Sequence, residues 1–145
     1  MTHKRNAAAT DTHSTSSAAL FAQCTLQQRA QVDQLATPVE VRAGYELTHE
    51  GAIAKEFGVI TEGTASVTIK GERVATLGPG DYYGEVGLLD EIGHTDGRRM
   101  ATITAETDMW VSAMSVREFW SLFNDVPSVA DAIRRAARDR VQAQN

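Results

Sequence analysis

Apolar positions recur at helical spacing near the start of the chain, in "LFAQCTLQQRAQVDQLA", residues 20–36. The positions on this face are Leu26, Ala30, Val32 and Leu35. Thr25 and Gln28 have the spacing of a capping box, in which each side chain bonds the backbone N–H of the other residue. The pattern predicts a helix in this segment, with order beginning near Leu20.

Between Pro38 and Ser115 the pattern changes to short apolar segments separated by glycines. In "TASVTIK", Ala65, Val67 and Ile69 alternate with polar residues, which is the period of a strand with one buried face. "KGER" predicts a tight turn into "VATLGPGD", and "ATITAETDMWVSAM" supplies two further strands. Roughly six to eight short strands of this kind predict a sandwich, a jelly roll or a barrel.

After Met114 the spacing becomes helical again. "SVREFWSLF" opens with a capping box of Ser115 and Glu118, and a second helix follows with Pro127 near its start, where a missing N–H is harmless. One stripe of this second helix carries Val129, Ile133, Ala136 and Arg140. Two interpretations remain open at this point: the stripe docks on the sandwich of its own chain, or it pairs across a dimer.

Composition and charge narrow the class of protein. The 145 residues, 42% hydrophobic and 23% charged, are typical of one globular domain, and no apolar run approaches the roughly 18 residues of a membrane span. The net charge of -5 disfavours sequence-independent binding to nucleic acid. Cys24 is the only cysteine, and the N-terminus lacks the apolar core of a secretory signal. We therefore predict a cytoplasmic protein with a disordered tail over residues 1–18 and one domain over residues 19–145.

The stretch "GDYYGEVGLLDEIGHTDGRRMATI", residues 80–103, carries the candidate chemistry. Arginine pairs with phosphate through a planar fork of donors, and glycine-rich backbone can bring several N–H groups to one anion. A short helix beginning in "GLLDE" would add further N–H donors. Glu85 would repel a phosphate, so it fits only another part of the ligand, such as a pair of sugar hydroxyls. The stretch therefore favours a ligand that carries both a phosphate and a sugar.

This stretch resembles the phosphate-binding cassette of the cyclic nucleotide-binding domain family. The family pattern runs glycine-glutamate, a small residue and two aliphatic residues, then a loop and arginine-x-alanine-threonine. The matching residues are Gly84, Glu85, Val86, Gly87, Leu88, Leu89, Arg99, Met100, Ala101 and Thr102. "VRAGYELTHEG", "EFGVITEGTASVTI" and "VATLGPGDYYGE" resemble the first strands of the family, and the helices after "AMSVREFW" resemble its C-terminal pair. The resemblance covers residues 20–143.

The resemblance implies a mainly β fold, an eight-stranded jelly-roll β-sandwich with an N-terminal helix and a C-terminal helix pair, that binds a cyclic nucleotide. Arg99 would neutralise the cyclic phosphate, and Glu85 would accept a hydrogen bond from the ribose 2′-hydroxyl. The residues expected to supply close backbone, a crowded wall and the apolar bed for the base are Gly84, Val86, Gly87, Leu88, Ala101, Val67 and Val74. The final helix, residues 127–143, would be a lid that transmits the signal, and Arg134 or Arg138 would be the candidate for contact with the base.

Two features depart from the family pattern. Thirteen residues separate Glu85 from Arg99, which is several more than is usual in the family. The inserted portion is the loop at residues 90–98, "DEIGHTDGR". Met100 stands where the family commonly has alanine, serine or threonine, and a hydroxyl there favours cyclic GMP. We therefore expect cyclic AMP rather than cyclic GMP as the ligand. Arg98 is the alternative phosphate partner if the alignment is shifted by one residue.

Other classes of function fit the sequence less well. A metal enzyme needs about three converging ligands, whereas His49 and His94 lie on separate loops, and no serine has the setting of a nucleophile elbow. We expect no catalysis, no metal and no cofactor. Many relatives add a helix-turn-helix after the lid helix, and no residues remain for one here, so we expect no direct binding to DNA.

Two readings of the role of the domain remain. The first is a sensor that signals through its C-terminal helix to a dimer mate or to an effector protein, either alone or as part of a longer chain. The second is a related domain with a degenerate pocket that acts as a protein interaction module, in which Glu85 and Arg99 form a simple ion pair.

Overall fold

The structure is a computed structural model that describes residues 21–22, 24–85 and 97–143, with backbone alone for residues 141–143. The predicted tail over residues 1–18 lies outside the described residues. The predicted site residues Val86, Gly87 and Leu88, the helical turn predicted in "GLLDE" and the loop residues 90–96 also lie outside them.

The described residues form three α-helices and eight strands. The helices are α1 (Leu26–Leu35), α2 (Val116–Asp125) and α3 (Pro127–Ala143). The strands are β1 (Thr37–Val41), β2 (Glu46–Thr48), β3 (Glu56–Glu62), β4 (Ala65–Ile69), β5 (Glu72–Leu77), β6 (Tyr82–Tyr83), β7 (Thr102–Ala105) and β8 (Met109–Ser115). The predicted helix–strands–helix order is confirmed.

The strands form two antiparallel four-stranded sheets. One sheet has the order β1-β8-β3-β6 and the other has the order β2-β7-β4-β5. Strands far apart in sequence are therefore neighbours, as in a jelly roll, where two Greek keys close on each other. The predicted β-sandwich with flanking helices is confirmed.

Local sequence signals fix several boundaries of these elements. Thr25 caps α1 and Ser115 caps α2, and both capping boxes predicted from the sequence are formed. Lys70 and Gly71 join β4 to β5 with φ of 54° and 80°. This left-handed pair suits the twist of a two-residue hairpin, and glycine adopts it without a steric penalty.

Strand β3 lies at the centre of the packing, and its five middle residues are all buried. Phe57 and Val59 face a cluster built with the helices, whereas Ile60 belongs to a second cluster between the sheets. Both faces of β3 are thus in the core, so this strand shows a continuous buried run and not an alternation.

Helix α3 packs on its own domain. Val129, Ile133 and Ala137 are buried in the same cluster as Phe119 of α2. Of the two interpretations left open by the sequence, the structure shows docking on the chain's own sandwich. This docking brings the end of α3 close to β6, where the candidate site begins.

Candidate functional site

A cavity of about 200 Å³ opens beside the second sheet, and it contains most of the predicted site residues that are described. Its lining residues come from β2, β4, β5, β6 and β7, from the segments that follow β6 and lead into β7, and from α3. They are Thr48, Val67, Val74, Ala75, Leu77, Tyr83, Gly84, Glu85, Arg99, Met100, Ala101, Ile103 and Arg140. The cavity therefore has one apolar wall and one charged wall.

Gly84 allows the charged wall to form. Its φ is +98°, and a Cβ at this position would collide with the backbone oxygen of Glu56 and would lie 2.7 Å from Nη1 of Arg99. Only glycine therefore permits the backbone to turn directly after β6 and the guanidinium of Arg99 to lie against it.

Glu85 is completely buried, with 0% of its surface exposed. Nη1 of Arg140 donates a hydrogen bond to Oε1 at 3.0 Å. The same nitrogen lies 3.0 Å from Oε2, but the contact lacks hydrogen-bond geometry, so Oε2 has no hydrogen-bond partner among the described residues. One oxygen of this carboxylate is thus satisfied and the other is open to a donor.

Burial is the main influence on Glu85, and it raises the pKa of the carboxyl. The positive charges of Arg140 and, more weakly, of Arg99 oppose this effect and lower the pKa. Because an unpaired carboxylate is costly in a desolvated site, these two cations are what allow the ionised form to exist there.

Arg99 presents the complementary case of a buried cation. Its backbone is fixed by two bonds, from the Arg99 N–H to the Ala52 carbonyl at 2.7 Å and from the Gly51 N–H to the Arg99 carbonyl at 2.9 Å. The side-chain atom Nη1 has no hydrogen-bond partner among the described residues. Burial lowers the pKa of Arg99, while the negative charges of Glu56 and, more weakly, of Glu85 oppose that shift. A buried donor is therefore held at the cavity wall.

Glu85 and Arg99 do not form a direct ion pair in the described part of the chain. The ion pair of Glu85 is with Arg140, and the largest favourable charge interaction of Arg99 is with Glu56. The reading of these two residues as a simple ion pair therefore does not describe the geometry.

Some of the other predicted site residues line the cavity and some lie outside it. Val67, Val74, Met100 and Ala101 line the cavity together with Gly84. Arg98 is exposed, and its Nη1 donates to the Gly51 carbonyl at 2.9 Å, away from the cavity wall. Of the candidate lid arginines, Arg134 stacks on the ring of Phe123 and neither it nor Arg138 lines the cavity.

Sequence reasoning missed Arg140 as a site residue. It was placed on the stripe of α3 that includes Val129 and Ile133, both of which are buried. A long cation on an otherwise apolar stripe, near the end of a helix, was the available signal that this side chain reaches a buried acid. Tyr83 was also missed, and its hydroxyl donates to Oε2 of Glu56 at 2.9 Å behind the cavity.

Comparison with known proteins gives the family of this site. The sequence pattern described as "Cyclic nucleotide-binding domain" matches residues 38–126. The chain belongs to the cyclic nucleotide-binding domain family. The match includes both sheets and α2, so the resemblance predicted from the cassette is confirmed.

Two curated members of the cyclic nucleotide-binding domain family are similar in sequence. The cAMP-dependent protein kinase regulatory subunit of Yarrowia lipolytica is 36% identical over 101 residues, which are 68% of this chain and 26% of that protein. The potassium/sodium hyperpolarization-activated cyclic nucleotide-gated channel 4 of Homo sapiens is 34% identical over 98 residues, 68% of this chain and 8% of the channel. The match thus spans only a small part of either relative.

A solved cyclic nucleotide-binding domain has the same fold. A protein kinase A regulatory-subunit domain with Sp-2Cl-cAMPS bound superposes with a TM-score of 0.77. It is 21% identical and covers 88% of this chain and 82% of that one. At this identity the likeness concerns the fold alone.

The buried carboxyl of Glu85 leads to a prediction about stability and pH. Because its pKa is raised in the fold, the native state holds the proton more firmly than the unfolded chain does. The stability that this proton gives is present below about pH 4.3 and is lost as the pH rises through the higher folded pKa. Glu85→Gln should therefore gain stability relative to the unchanged protein as the pH rises through that window, in urea unfolding without ligand.

The exposed carboxylate of Glu72 gives the matched control, because Glu72→Gln makes the same chemical change on the edge strand β5. It gives the baseline against which the trend of Glu85→Gln is compared. A Glu85→Gln variant that becomes relatively less stable with rising pH would contradict the prediction, since it would mean that the arginines outweigh burial.

Proposed function

We propose that this domain is a sensor that binds cyclic AMP in the cavity described above. The observation that supports the proposal is a pair of buried atoms without hydrogen-bond partners in the described residues, Oε2 of Glu85 and Nη1 of Arg99. One is an acceptor and the other is a donor, and both residues line one cavity. Such buried atoms are costly unless a ligand satisfies them.

A cyclic nucleotide has the groups that these atoms need. A sugar hydroxyl can donate to Oε2 of Glu85, and an oxygen of the cyclic phosphate can accept from Arg99. Gly84 would let the phosphate approach the backbone, as the family resemblance implies. Charge also favours the anion, because the cation of Arg99 is desolvated before the ligand arrives.

The opposite wall supports the choice of adenine over guanine. Val67, Val74 and Leu77 form an apolar surface where a base can lie, and Val74 is 44% exposed before any ligand covers it. Guanine has a carbonyl oxygen and a ring N–H that adenine lacks, and both would lose water against this wall. Met100 has no hydroxyl to offer to guanine. The hydroxyl of Thr48 already donates its hydrogen to the Ala101 carbonyl at 2.8 Å, so it has none left to donate to guanine.

Helix α3 is the element that would carry the signal. It contributes Arg140 to the cavity, and its apolar stripe packs against α2. A ligand that changes the surroundings of Arg140 therefore acts on the helix that a dimer mate or an effector protein would contact. We propose that the domain regulates such a partner and performs no catalysis, because the family to which it belongs is one of ligand-binding domains.

In the part of the chain that the structure describes, no group of three histidine, cysteine, aspartate or glutamate residues is arranged to hold a metal ion. Among the same residues, no helix is both long enough and apolar enough to cross a membrane.

A thermal shift assay with cyclic AMP and cyclic GMP in parallel tests the proposal. Ligand at a hundredfold excess over its dissociation constant should add about 2.7 kcal/mol to the unfolding free energy. This increment corresponds to a rise of several degrees in Tm for a domain of this size. We expect the shift with cyclic AMP and a smaller one with cyclic GMP at equal concentration.

Adenosine 5′-monophosphate is a suitable control ligand, because it has the same base and sugar but an open phosphate. A shift with cyclic GMP alone would overturn the choice of base. No shift with either cyclic nucleotide at millimolar concentration would overturn the sensor proposal and favour a degenerate pocket that acts as a protein interaction module.

A further inference from the structure

Tyr83 lies between two cavities. The cavity described above has a volume of about 200 Å³, and a second cavity of about 110 Å³ lies on the other side of the Tyr83 side chain. Tyr83 is completely buried and is the residue that both cavities share. The second cavity opens to solvent beside Val39 and Tyr45, which are 41% and 62% exposed. The domain therefore has room for a smaller ligand beside the candidate site.

The walls of the second cavity are mostly aliphatic. They come from β1, β2 and β8 and consist of Val39, Val41, Leu47, Val111 and Ala113. Val41 and Val111 belong to the cluster between the two sheets, and Leu47 packs against that cluster. An alkyl group placed here would remove apolar surface from water, which favours its binding.

Glu56 is the charged residue that lines the second cavity, and its side chain is half-buried. The hydroxyl of Tyr83 donates to its Oε2 at 2.9 Å, which is the one hydrogen bond that this carboxylate receives from the described residues. Because burial raises the pKa of Tyr83, this partner is a neutral hydroxyl that does not offset the charge. The carboxylate retains capacity for a second donor, and a cationic donor suits it best.

The described cations of the chain do not fill the second cavity. Lys55 precedes Glu56 and Arg42 follows β1, but both are exposed and neither lines the cavity. Arg99 lines the other cavity, and its charge interacts with Glu56 without forming an ion pair. The place beside the carboxylate is thus available to a cation from outside.

We propose that the second cavity is a binding site for a primary amine with a short aliphatic body. Its ammonium group would pair with Glu56, and its alkyl group would lie against the valines of β1 and β8. The volume of about 110 Å³ is little more than half that of the other cavity, so a nucleotide is too large for it. The site does not depend on the proposed binding of cyclic AMP.

One consequence of the second site does rest on the proposed function. Glu56 makes the largest favourable charge interaction of Arg99, so its negative charge offsets part of the cation that would meet the phosphate. An ammonium group on Glu56 cancels part of this offset and adds a positive charge near the phosphate. Each ligand should therefore strengthen the binding of the other by the same factor, which we expect to be about two- to fivefold.

Titration of the unchanged protein with 3-methylbutylamine tests the site in the absence of nucleotide. Methyl proton–carbon NMR spectra should show shifts for Val41 and Val111 and none for Val129 of α3. A dissociation constant of about 1 mM is expected for so small a ligand. The neutral 3-methylbutan-1-ol has nearly the same shape, and it should bind about tenfold more weakly because its bond to the carboxylate lacks the charge of the amine.

Two variants test the charge and the space separately. Glu56→Gln keeps an acceptor for the Tyr83 hydroxyl but removes the charge, so the amine should bind about tenfold more weakly and no better than the alcohol. Glu72→Gln is the matched control, since Glu72 is exposed on β5 and does not line the second cavity. Ala113→Leu fills the cavity and should prevent binding of both compounds, with circular dichroism as the check of the fold.

Several results would overturn the proposal. These are the absence of shifts at about 20 mM amine, equal affinities of the amine and the alcohol for the unchanged protein, and unchanged amine binding in Glu56→Gln. Amine binding that persists in folded Ala113→Leu would place the compound elsewhere and would also overturn it.

A repeat of the amine titration with saturating cyclic AMP separates the second site from the proposed function. Tighter amine binding supports the charge interaction between the two ligands, and weaker amine binding would contradict it. If the amine binds as expected but cyclic AMP does not bind at all, the second site stands and the proposed function fails. If cyclic AMP binds but the amine does not, the second site fails alone.

Discussion

Arg99→Ala should weaken cyclic AMP binding by roughly 30- to 1000-fold, which corresponds to about 2 to 4 kcal/mol. Arg99 lines the cavity with only 8% exposure, and its Nη1 is a buried donor without a partner in the described residues. A cyclic phosphate deprived of this cation would be buried with an unpaired charge. Isothermal titration calorimetry on the unchanged and variant proteins measures the difference directly.

The fold should survive this substitution. Because the guanidinium of Arg99 is desolvated, its removal also relieves a cost in the unliganded protein, and circular dichroism should show an unchanged fold. Arg98→Ala is the informative comparison, since Arg98 is exposed and bonds the Gly51 carbonyl. A large loss of affinity in Arg98→Ala with little loss in Arg99→Ala would assign the phosphate to the other arginine.

Gly84→Ala should both destabilise the domain and abolish high-affinity binding. Its φ of +98° lies where an L-residue is strained, and the added Cβ would meet the Glu56 backbone oxygen and Nη1 of Arg99. The conformational cost alone is about 1 to 2 kcal/mol, and displacement of a packed backbone adds to it. We expect a total of about 3 kcal/mol or more in urea unfolding, with weaker cyclic AMP binding at temperatures where the variant is folded.

Gly44→Ala is the matched control for this effect. Gly44 has a nearly identical φ of +93°, but no atom lies within 4 Å of the position that a Cβ would take. It should show only the conformational cost, about 1 to 2 kcal/mol, and unchanged affinity. Equal losses of stability in the two variants would mean that the close contact at Gly84 relaxes at no cost.

Much of the fold could be predicted because its signals are local. The capping boxes at Thr25 and Ser115 depend on residues three positions apart, and the turn at Gly71 depends on two residues. The alternation predicted for β4 is not seen in its burial, because Ala65 is buried and the other four residues of the strand are all half-buried. The run of five buried residues in β3 could not be predicted in this way. Both faces of β3 become buried only when the other strands and the helices pack against it.

The candidate site could be predicted in part. Glu85, Arg99 and Gly84 came from one short motif, and the structure brings them to the same cavity as Val67 and Val74. Their roles toward a ligand stay predictions, as do those of Val86, Gly87 and Leu88, which lie outside the described residues. Of the arginines in the last helix, the structure places Arg140 in the cavity and neither Arg134 nor Arg138, because the spacing along α3 does not show where this helix approaches β6.

The sequence by itself determined the class of fold, the cassette and the family, because capping, strand period and motif spacing involve neighbours along the chain. Only the tertiary structure decided that Glu85 pairs with Arg140, 55 residues further on. It also decided that the charge interaction of Arg99 with Glu56 is stronger than its interaction with Glu85. Such choices depend on which buried charges meet after the layers have packed. In a desolvated site the nearest partner dominates, and which group is nearest is a property of the fold.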